Sequence, residues 1–244
     1  NNVSVMSIIN DSAICLRCWD YSETSQTVAL LTQQHGLIRG IAKGSKRDRG
    51  SFSGGFDPLT QGNIVARSKA NSDLATLTEW NLESVWWTTR NNLEVNKCAI
   101  YMIDLVMKMI TDQDPHTQIF ESFQEALQRI DSGHDLNWPL LRFQWALLVE
   151  SGYQPRLDDV QNLPDIVGFS PTKGSVVEDT GEIDRVRVRK ETIDVLHMIG
   201  DDSPTQTDNP EVLSRANRLL AHYLRHIIGS ESAAMRWMWG SISS

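Results

Sequence analysis

The most chemically informative part of the 244-residue chain is a basic stretch. Residues 37–50, LIRGIAKGSKRDRG, carry five cations and one acid, at the end of a predicted strand and in the glycine-rich loop after it. Guanidinium and ammonium groups on a loop beside a barrel face can hold phosphates without a fixed register. The alternative is that these charges only keep the loop solvated. The candidate DNA-binding residues are Arg39, Lys43, Lys46, Arg47 and Arg49.

The charge of the chain is unevenly distributed. The formal net charge of −8 argues at first against nucleic-acid binding, because phosphate contacts need Lys and Arg. Residues 1–90, however, carry nine Lys and Arg against eight Asp and Glu, whereas residues 91–244 carry 14 against 23. The excess of acid therefore lies in the C-terminal part, and the N-terminal part is a candidate for holding DNA.

The residue types that bind metals are too scattered to define a site. Cys15 and Cys18 have the spacing of half a zinc site, but Cys98 is remote, and residues i and i+3 of a strand point to opposite faces. His222 and His226 stand one helical turn apart without a third ligand nearby. We therefore predict no metal and no cofactor.

Enzymatic chemistry finds little support in the sequence. Residues 51–56, SFSGGF, lack the Gly-Lys-Ser/Thr ending of a nucleotide-binding loop, so Phe52 and Phe56 either stack on bases or plug the barrel end. Adjacent acids such as Asp201 and Asp202 could hold Mg²⁺ in a metal-dependent nuclease, which is one rival hypothesis. Because no nucleophile has a recognisable local signature, we predict that the protein is not an enzyme.

Short β-type runs separated by turn residues occupy residues 12–84. Five such strands suit an OB-fold (oligonucleotide-binding) β-barrel, although a small SH3-like barrel would give a similar pattern. Residues 33–36 read as a tight hairpin turn with Gly36 in the left-handed region. The predicted strands are 13–19, 27–32, 37–42, 62–67 and 74–83.

After Trp87 the hydrophobic period changes from two to about 3.6, which predicts helices. The sequence thus predicts an α+β fold, with a five-stranded OB-fold β-barrel in residues 1–87 and an α-helical domain in residues 88–244. An irregular insertion at about 153–189 holds two possible short strands, and residues 201–208 form an acidic linker. The predicted helices are 93–110, 115–130, 138–150, 190–199 and 210–228.

No membrane segment is predicted. The first 12 residues have no basic segment followed by an apolar run, and no window approaches 18 consecutive apolar residues. Three cysteines are too few for a disulfide-stapled secreted domain, so a reducing cytoplasm is the expected location.

Several segments follow one another in an order that resembles the bacterial RecO family of recombination mediators. They are AICLRCWDYSET at 13–24, VALLTQQHG at 28–36, GIAKGSKR at 40–47 and, further on, LLRFQWALL at 140–148 with GYQP at 152–155. The likeness covers nearly the whole chain and is strongest before residue 62.

The resemblance implies an N-terminal OB-fold and a helical C-terminal domain. It also implies a nucleoid-associated DNA-repair protein that binds single- and double-stranded DNA and anneals complementary strands. The implied partners are RecR and the acidic, Phe-ended tail of the single-strand-binding protein, so that RecA loads onto gapped DNA. Some family members carry a four-cysteine zinc module in the region of the insertion, but residues 156–189 contain no cysteine here.

One residue is a candidate for binding a partner. A Phe-ended acidic tail needs an apolar slot for the ring and a cation for the carboxylate. Arg142, between Leu141 and Phe143 on the third predicted helix, matches the family's basic position there. The second rival hypothesis is a protein-interaction adaptor, in which the acidic helical domain is the functional part and the barrel is a spacer.

Overall fold

The computed structural model divides the chain into two compact units. The first comprises residues 1–91 and 110–124, and the second comprises residues 92–109 and 125–244. No helix within the described parts of the chain combines the length and apolar character that crossing a membrane requires. The structure describes residues 6–47, 50–69, 72, 74–133, 135–157, 164–181, 184–201 and 209–240.

The first unit contains a closed five-stranded barrel. Its strands follow one another around the barrel in the order β1-β2-β3-β5-β4, with β3 parallel to β5 and every other pair antiparallel. This is the predicted OB-fold, and the α+β fold class is confirmed. The strands are β1 (Met6–Asp20), β2 (Gln26–Thr32), β3 (Gly36–Ala42), β4 (Thr60–Lys69) and β5 (Ala75–Val85).

Strand β1 begins seven residues earlier than the sequence pattern predicts. Residues 10–12 are polar and lie before the predicted start, but they continue the pairing of β1 with β4. Asp11 is buried, and its Oδ2 accepts a hydrogen bond from the Gln34 N–H at 2.8 Å and lies 2.7 Å from the His35 Nδ1. Because a hydrogen-bonded carboxylate can be buried in a strand, hydrophobic alternation alone places the start too late.

The turn between β2 and β3 requires a glycine. Gly36 has φ +70°, as predicted, and a Cβ on it would lie 2.0 Å from the Asp114 carbonyl oxygen. Gln113 donates its N–H to the Leu37 carbonyl at 3.0 Å, so the segment after residue 110 packs against this hairpin within the first unit. The backbone of the hairpin and of that segment therefore meet too closely for any side chain.

Aromatic rings fill the barrel. Phe56 stacks on the fully buried Trp80 with ring centroids 4.8 Å apart, and Phe52 lies 6.0 Å from Phe56. Phe52 and Phe56 are 8% and 3% exposed. These low exposures favour the prediction that both rings plug the barrel.

A β-bulge changes the geometry expected for two cysteines. The register of β1 against β2 shifts between Cys15 and Arg17, so Cys15 and Cys18 both pack on the barrel core. The inference that they point to opposite faces is therefore wrong. The hydrogen bond between the two thiol groups lowers the pKa of Cys18 and, together with burial, raises the pKa of Cys15. Within the described residues, no group of three His, Cys, Asp or Glu side chains could hold a metal ion.

Most of the helices lie in the second unit, with buried polar groups among them. The Tyr101 hydroxyl donates to Gln144 Oε1 at 2.9 Å, and Gln144 Nε2 donates to Asn217 Oδ1 at 2.7 Å. These two hydrogen bonds link the second, fourth and sixth helices through buried side chains. The helices are α1 (Thr88–Asn91), α2 (Leu93–Met109), α3 (Thr117–Asp131), α4 (Asn137–Glu150), α5 (Lys190–Gly200), α6 (Pro210–Ile228) and α7 (Ala233–Trp239).

Helix α7 was not predicted from the sequence. It is seven residues long, so it offers too few turns for a clear hydrophobic period. Ser232 caps its start by accepting from the Met235 N–H at 3.0 Å, and Trp239 packs edge-on against Tyr101 with ring centroids 5.9 Å apart. Tertiary packing on α2 therefore stabilises a segment whose local pattern is weak.

The insertion folds as a small antiparallel sheet. It has the order β7-β6-β8, and β7 adds one strand to the two expected. Phe169 is fully buried and packs edge-on against Tyr223 of α6, with ring centroids 5.4 Å apart. Asp184 accepts hydrogen bonds from the Ser170 and Thr172 hydroxyls at 2.5 and 2.8 Å. The strands are β6 (Ile166–Ser170), β7 (Ser175–Val177) and β8 (Val186–Arg189).

Candidate nucleic-acid interface

The loop after β3 begins with a turn that is anchored to the barrel. We call residues 43–47 the basic turn. The Gly44 N–H donates to Ser25 Oγ at 3.1 Å, and the Lys46 N–H donates to the Thr24 carbonyl at 3.1 Å. Ser45 is fully buried and donates its hydroxyl to Gln26 Oε1 at 3.0 Å. These bonds hold the basic turn against the β1–β2 connection and leave its charged side chains outside.

The predicted cations differ in their surroundings. Lys43 and Arg47 are exposed, and neither forms an ion pair with a described residue. Lys46 Nζ lies 2.5 Å from Asp20 Oδ1. Arg39 lies on β3 rather than in the loop, and its Nε donates to Asp112 Oδ2 at 2.8 Å. Arg49 falls outside the described residues.

The two ion pairs partly neutralise the positive charge of this surface, but all four charged side chains stay partly exposed to solvent. Asp20 and Asp112 are 71% and 41% exposed, and the paired Lys46 and Arg39 are 34% and 38% exposed. Exposed pairs of this kind are usually worth less than about 1 kcal/mol, so a phosphate can replace either carboxylate. The sequence does not predict either ion pair, because neither acid is close in sequence to the cation it pairs with.

Exposed aromatic rings lie next to these charges. Trp19, near the end of β1, and Tyr21, just after it, are 46% and 65% exposed. Both flank Asp20, the partner of Lys46, and Arg17 is exposed two residues before Trp19. Aromatic faces beside cations are the features that single-strand-binding grooves use for stacking and for phosphate contact.

The candidate partner residue lies on the second unit. Arg142 is exposed on α4 between the buried Leu141 and Phe143. The same unit has a cavity of about 530 Å³. Arg142 is not among the described residues around this cavity, which are Trp145, Gln154, Pro155, Arg156, Leu157, His197, Gly200 and Asp201.

The histidine pair on α6 lies close to charged groups. Burial, with the positive charge of Arg225 and His226 nearby, lowers the pKa of His222. Hydrogen bonds from Ser170 and Thr172 lower the pKa of Asp184, and His226 adds to this effect. Asp184 therefore acts as the hydrogen-bond acceptor for these two hydroxyls.

Two family models match the chain, one after the other. The model described as Recombination protein O N terminal matches residues 6–86, and the model described as Recombination protein O C terminal matches residues 90–233. The first match covers the barrel strands, and the second covers all the helices from α2 to α6 together with the small sheet.

Curated relatives with the name DNA repair protein RecO are similar to this chain. The protein of Myxococcus xanthus is 25% identical over 240 residues, which are 96% of this chain and 98% of the relative. The protein of Anaeromyxobacter sp. (strain K) is 29% identical over 69% of this chain, and the match spans 66% of that relative. The protein of Rhodopirellula baltica is 34% identical over 59% of this chain and 53% of its own length.

The likeness extends through both units, because each unit contains most of one matched region. The barrel order and the helices agree with the fold that the sequence predicts. The chain belongs to the recombination protein O family of DNA repair proteins.

Proposed function

We propose that this chain is a DNA-binding recombination mediator without turnover chemistry. The proposed contacts to phosphate come from Arg39, Lys43, Lys46, Arg47 and Arg49. The observation that carries the proposal is the basic turn, which presents the exposed Lys43 and Arg47 from a backbone that is hydrogen-bonded to the barrel. Cations in fixed positions lose less conformational freedom when they bind than cations on an unanchored loop.

The proposed activities follow from the kind of contact. Phosphate contacts do not read base sequence, so the same surface would serve single- and double-stranded DNA. We propose that the protein anneals complementary strands and assists RecA loading on gapped DNA coated by the single-strand-binding protein. The proposed partners are RecR and the acidic tail of the single-strand-binding protein. Membership in a family of DNA repair proteins supports this role.

Arg142 is the proposed cation for the acidic, Phe-ended tail. Arg142 is exposed on α4, and its neighbours Leu141 and Phe143 are buried. The cavity in the second unit offers a competing position, since Trp145, Pro155 and Leu157 line it together with Arg156. Binding of a synthetic acidic peptide ending in Phe separates the two. Loss of binding in Arg142→Ala supports the proposal, and loss in Arg156→Ala alone moves the site to the cavity.

Fluorescence anisotropy with a labelled single-stranded oligonucleotide tests the DNA-binding proposal. Loss of two single-strand phosphate contacts removes about 1.4 from the salt slope, which corresponds to roughly 60-fold in affinity between 1 M and 50 mM salt. We therefore expect the Lys43→Ala/Arg47→Ala variant to bind up to about 60-fold more weakly at low salt. A Lys173→Ala/Arg189→Ala variant removes the same charge from exposed positions of the second unit and should bind like the unaltered protein.

Three results would overturn the proposal. Failure of the unaltered protein to bind at low salt favours the adaptor hypothesis, in which the second unit is the functional part. Equal losses in the two double variants would show that net charge alone governs binding, without a role for the basic turn. Strand cleavage in the presence of Mg²⁺ that Asp201→Asn abolishes would instead support the nuclease hypothesis.

A further inference from the structure

A cavity of about 560 Å³ opens beside the basic turn, within the first unit. Its apolar wall includes Phe56, Leu82 and Trp87, and two cations, Lys46 and Arg90, also line it. Phe56 is held against Trp80 in the barrel, whereas Leu82 and Trp87 are 38% and 62% exposed. The cavity therefore combines a fixed apolar floor with an exposed aromatic ring.

The backbone at Trp87 is held in place although its ring is exposed. The carbonyl of Trp87 accepts hydrogen bonds from the Arg90 N–H at 3.0 Å and from Asn91 Nδ2 at 3.1 Å. The preceding Trp86 is buried, and its carbonyl accepts from the Thr89 hydroxyl at 2.5 Å. Of the two adjacent tryptophans, Trp86 anchors the chain and Trp87 is presented outward. A ring on an anchored backbone loses less freedom when a ligand stacks on it.

The charged groups beside this ring suit an anion. The Arg90 guanidinium carbon lies 5.5 Å from the centre of the Trp87 ring, and its Nη1 pairs with Asp57 at 3.3 Å. Lys46 pairs with Asp20. Asp57 and Asp20 are 66% and 71% exposed, so both pairs are weak in water and a phosphate can take the place of either carboxylate.

We infer that this cavity is a binding site for an unpaired base of single-stranded DNA, with the base stacked on Trp87 and the flanking phosphates on Lys46 and Arg90. The inference rests on the proposed function and adds a specific subsite to it. A nucleotide offers a planar base to an aromatic ring and a phosphate to a neighbouring cation. Continuity with the basic turn through Lys46 favours a DNA strand over a separate small molecule.

The site also accounts for how one surface could prefer single strands. In a duplex the bases are stacked and paired, so they cannot reach Trp87, whereas a single strand offers both bases and phosphates. Trp87 therefore contributes to single-strand binding alone, and the basic turn contributes to both forms.

Anisotropy titrations of Trp87→Ala and Trp87→Phe test the inference. Stacking of one base on an aromatic ring corresponds to about 5- to 150-fold in affinity. We expect Trp87→Ala to weaken single-strand binding by a factor in this range without changing the salt slope, because no cation is removed. Trp87→Phe should keep most of the affinity, since it keeps an aromatic face. Trp237→Ala, which removes a 46% exposed tryptophan from the second unit, serves as the matched control.

A second measurement replaces the bases of the oligonucleotide with abasic positions. The unaltered protein should bind the abasic ligand more weakly than the normal oligonucleotide. Trp87→Ala should show no further loss of affinity on the abasic ligand, because the substitution and the missing bases remove the same contact. Circular dichroism and thermal melting of each variant confirm that the barrel is folded before the affinities are compared.

The possible failures are distinguishable. If the unaltered protein binds DNA through Lys43 and Arg47 while Trp87→Ala binds equally well, the stacking inference is overturned and the proposed function stands. Equal weakening of single- and double-strand binding by Trp87→Ala also overturns it, because a duplex offers no unpaired base. Loss of binding to a protein partner with unchanged DNA binding assigns the cavity to that partner instead. Absence of any DNA binding overturns both proposals.

Discussion

Removing the two carboxylates that pair with the candidate cations should strengthen DNA binding. Asp20→Asn frees Lys46, whose Nζ lies 2.5 Å from Asp20 Oδ1. Asp112→Asn frees Arg39, whose Nε lies 2.8 Å from Asp112 Oδ2. Asparagine has nearly the same size as aspartate, and both positions are well exposed, so the barrel should not need to repack.

The expected effect follows from the weakness of exposed ion pairs. Each pair is worth up to about 1 kcal/mol, so each substitution should raise the affinity for single-stranded DNA by up to about fivefold. Lys46 and Arg39 are proposed to contact phosphates in the unaltered protein as well, so the number of contacts and the salt slope should stay unchanged.

Anisotropy titrations between about 50 and 200 mM salt measure the affinity and the slope. Glu121→Gln is the matched control, because Glu121 is exposed on α3 and forms no ion pair with a described residue, so it changes the net charge equally. The reasoning is refuted if the control strengthens binding as much as Asp20→Asn and Asp112→Asn do, or if neither of these variants strengthens binding.

Two further predictions concern stability. Gly36→Ala should destabilise the protein by more than about 2 kcal/mol in urea unfolding, because φ is +70° and the new Cβ would lie 2.0 Å from a carbonyl oxygen. Gly133→Ala, at φ +78° with open space around it, should cost only about 1 kcal/mol. Burial raises the pKa of Cys98 to about 12 and also raises the pKa of Tyr101. The unfolded state then binds fewer protons, so the free energy of unfolding should fall by roughly 1 kcal/mol per pH unit above about pH 9 for Cys98, and less steeply in Cys98→Ala.

The elements of the barrel were predictable because short runs of β-type residues are separated by turn residues. Their lengths were not, since the polar Asp11 is buried by bonds to Gln34 and His35 that no local pattern reveals. The bulge that brings Cys15 and Cys18 to one side is a feature of strand pairing, which becomes visible only when β1 and β2 are aligned.

The candidate cations could be selected from the sequence, but the acids that pair with them could not. The density of Lys and Arg identifies the basic turn, but Arg39 pairs with an acid 73 residues away, so its partner depends on the tertiary fold. Trp86 and Trp87 look equivalent in the sequence, and only the end of β5 decides which ring is buried. All five candidate DNA-binding cations stay predictions, as does Arg142 as the partner-binding cation, and Arg49 lies outside the described residues.

The salt dependence of single-stranded DNA binding by the Lys43→Ala/Arg47→Ala variant tests the central claim most directly. The claim is that exposed cations on the anchored basic turn contact phosphates. If it holds, the slope of log affinity against log salt becomes shallower by about 1.4 relative to the unaltered protein. An unchanged slope, with the barrel still folded, would show that the basic turn does not hold DNA.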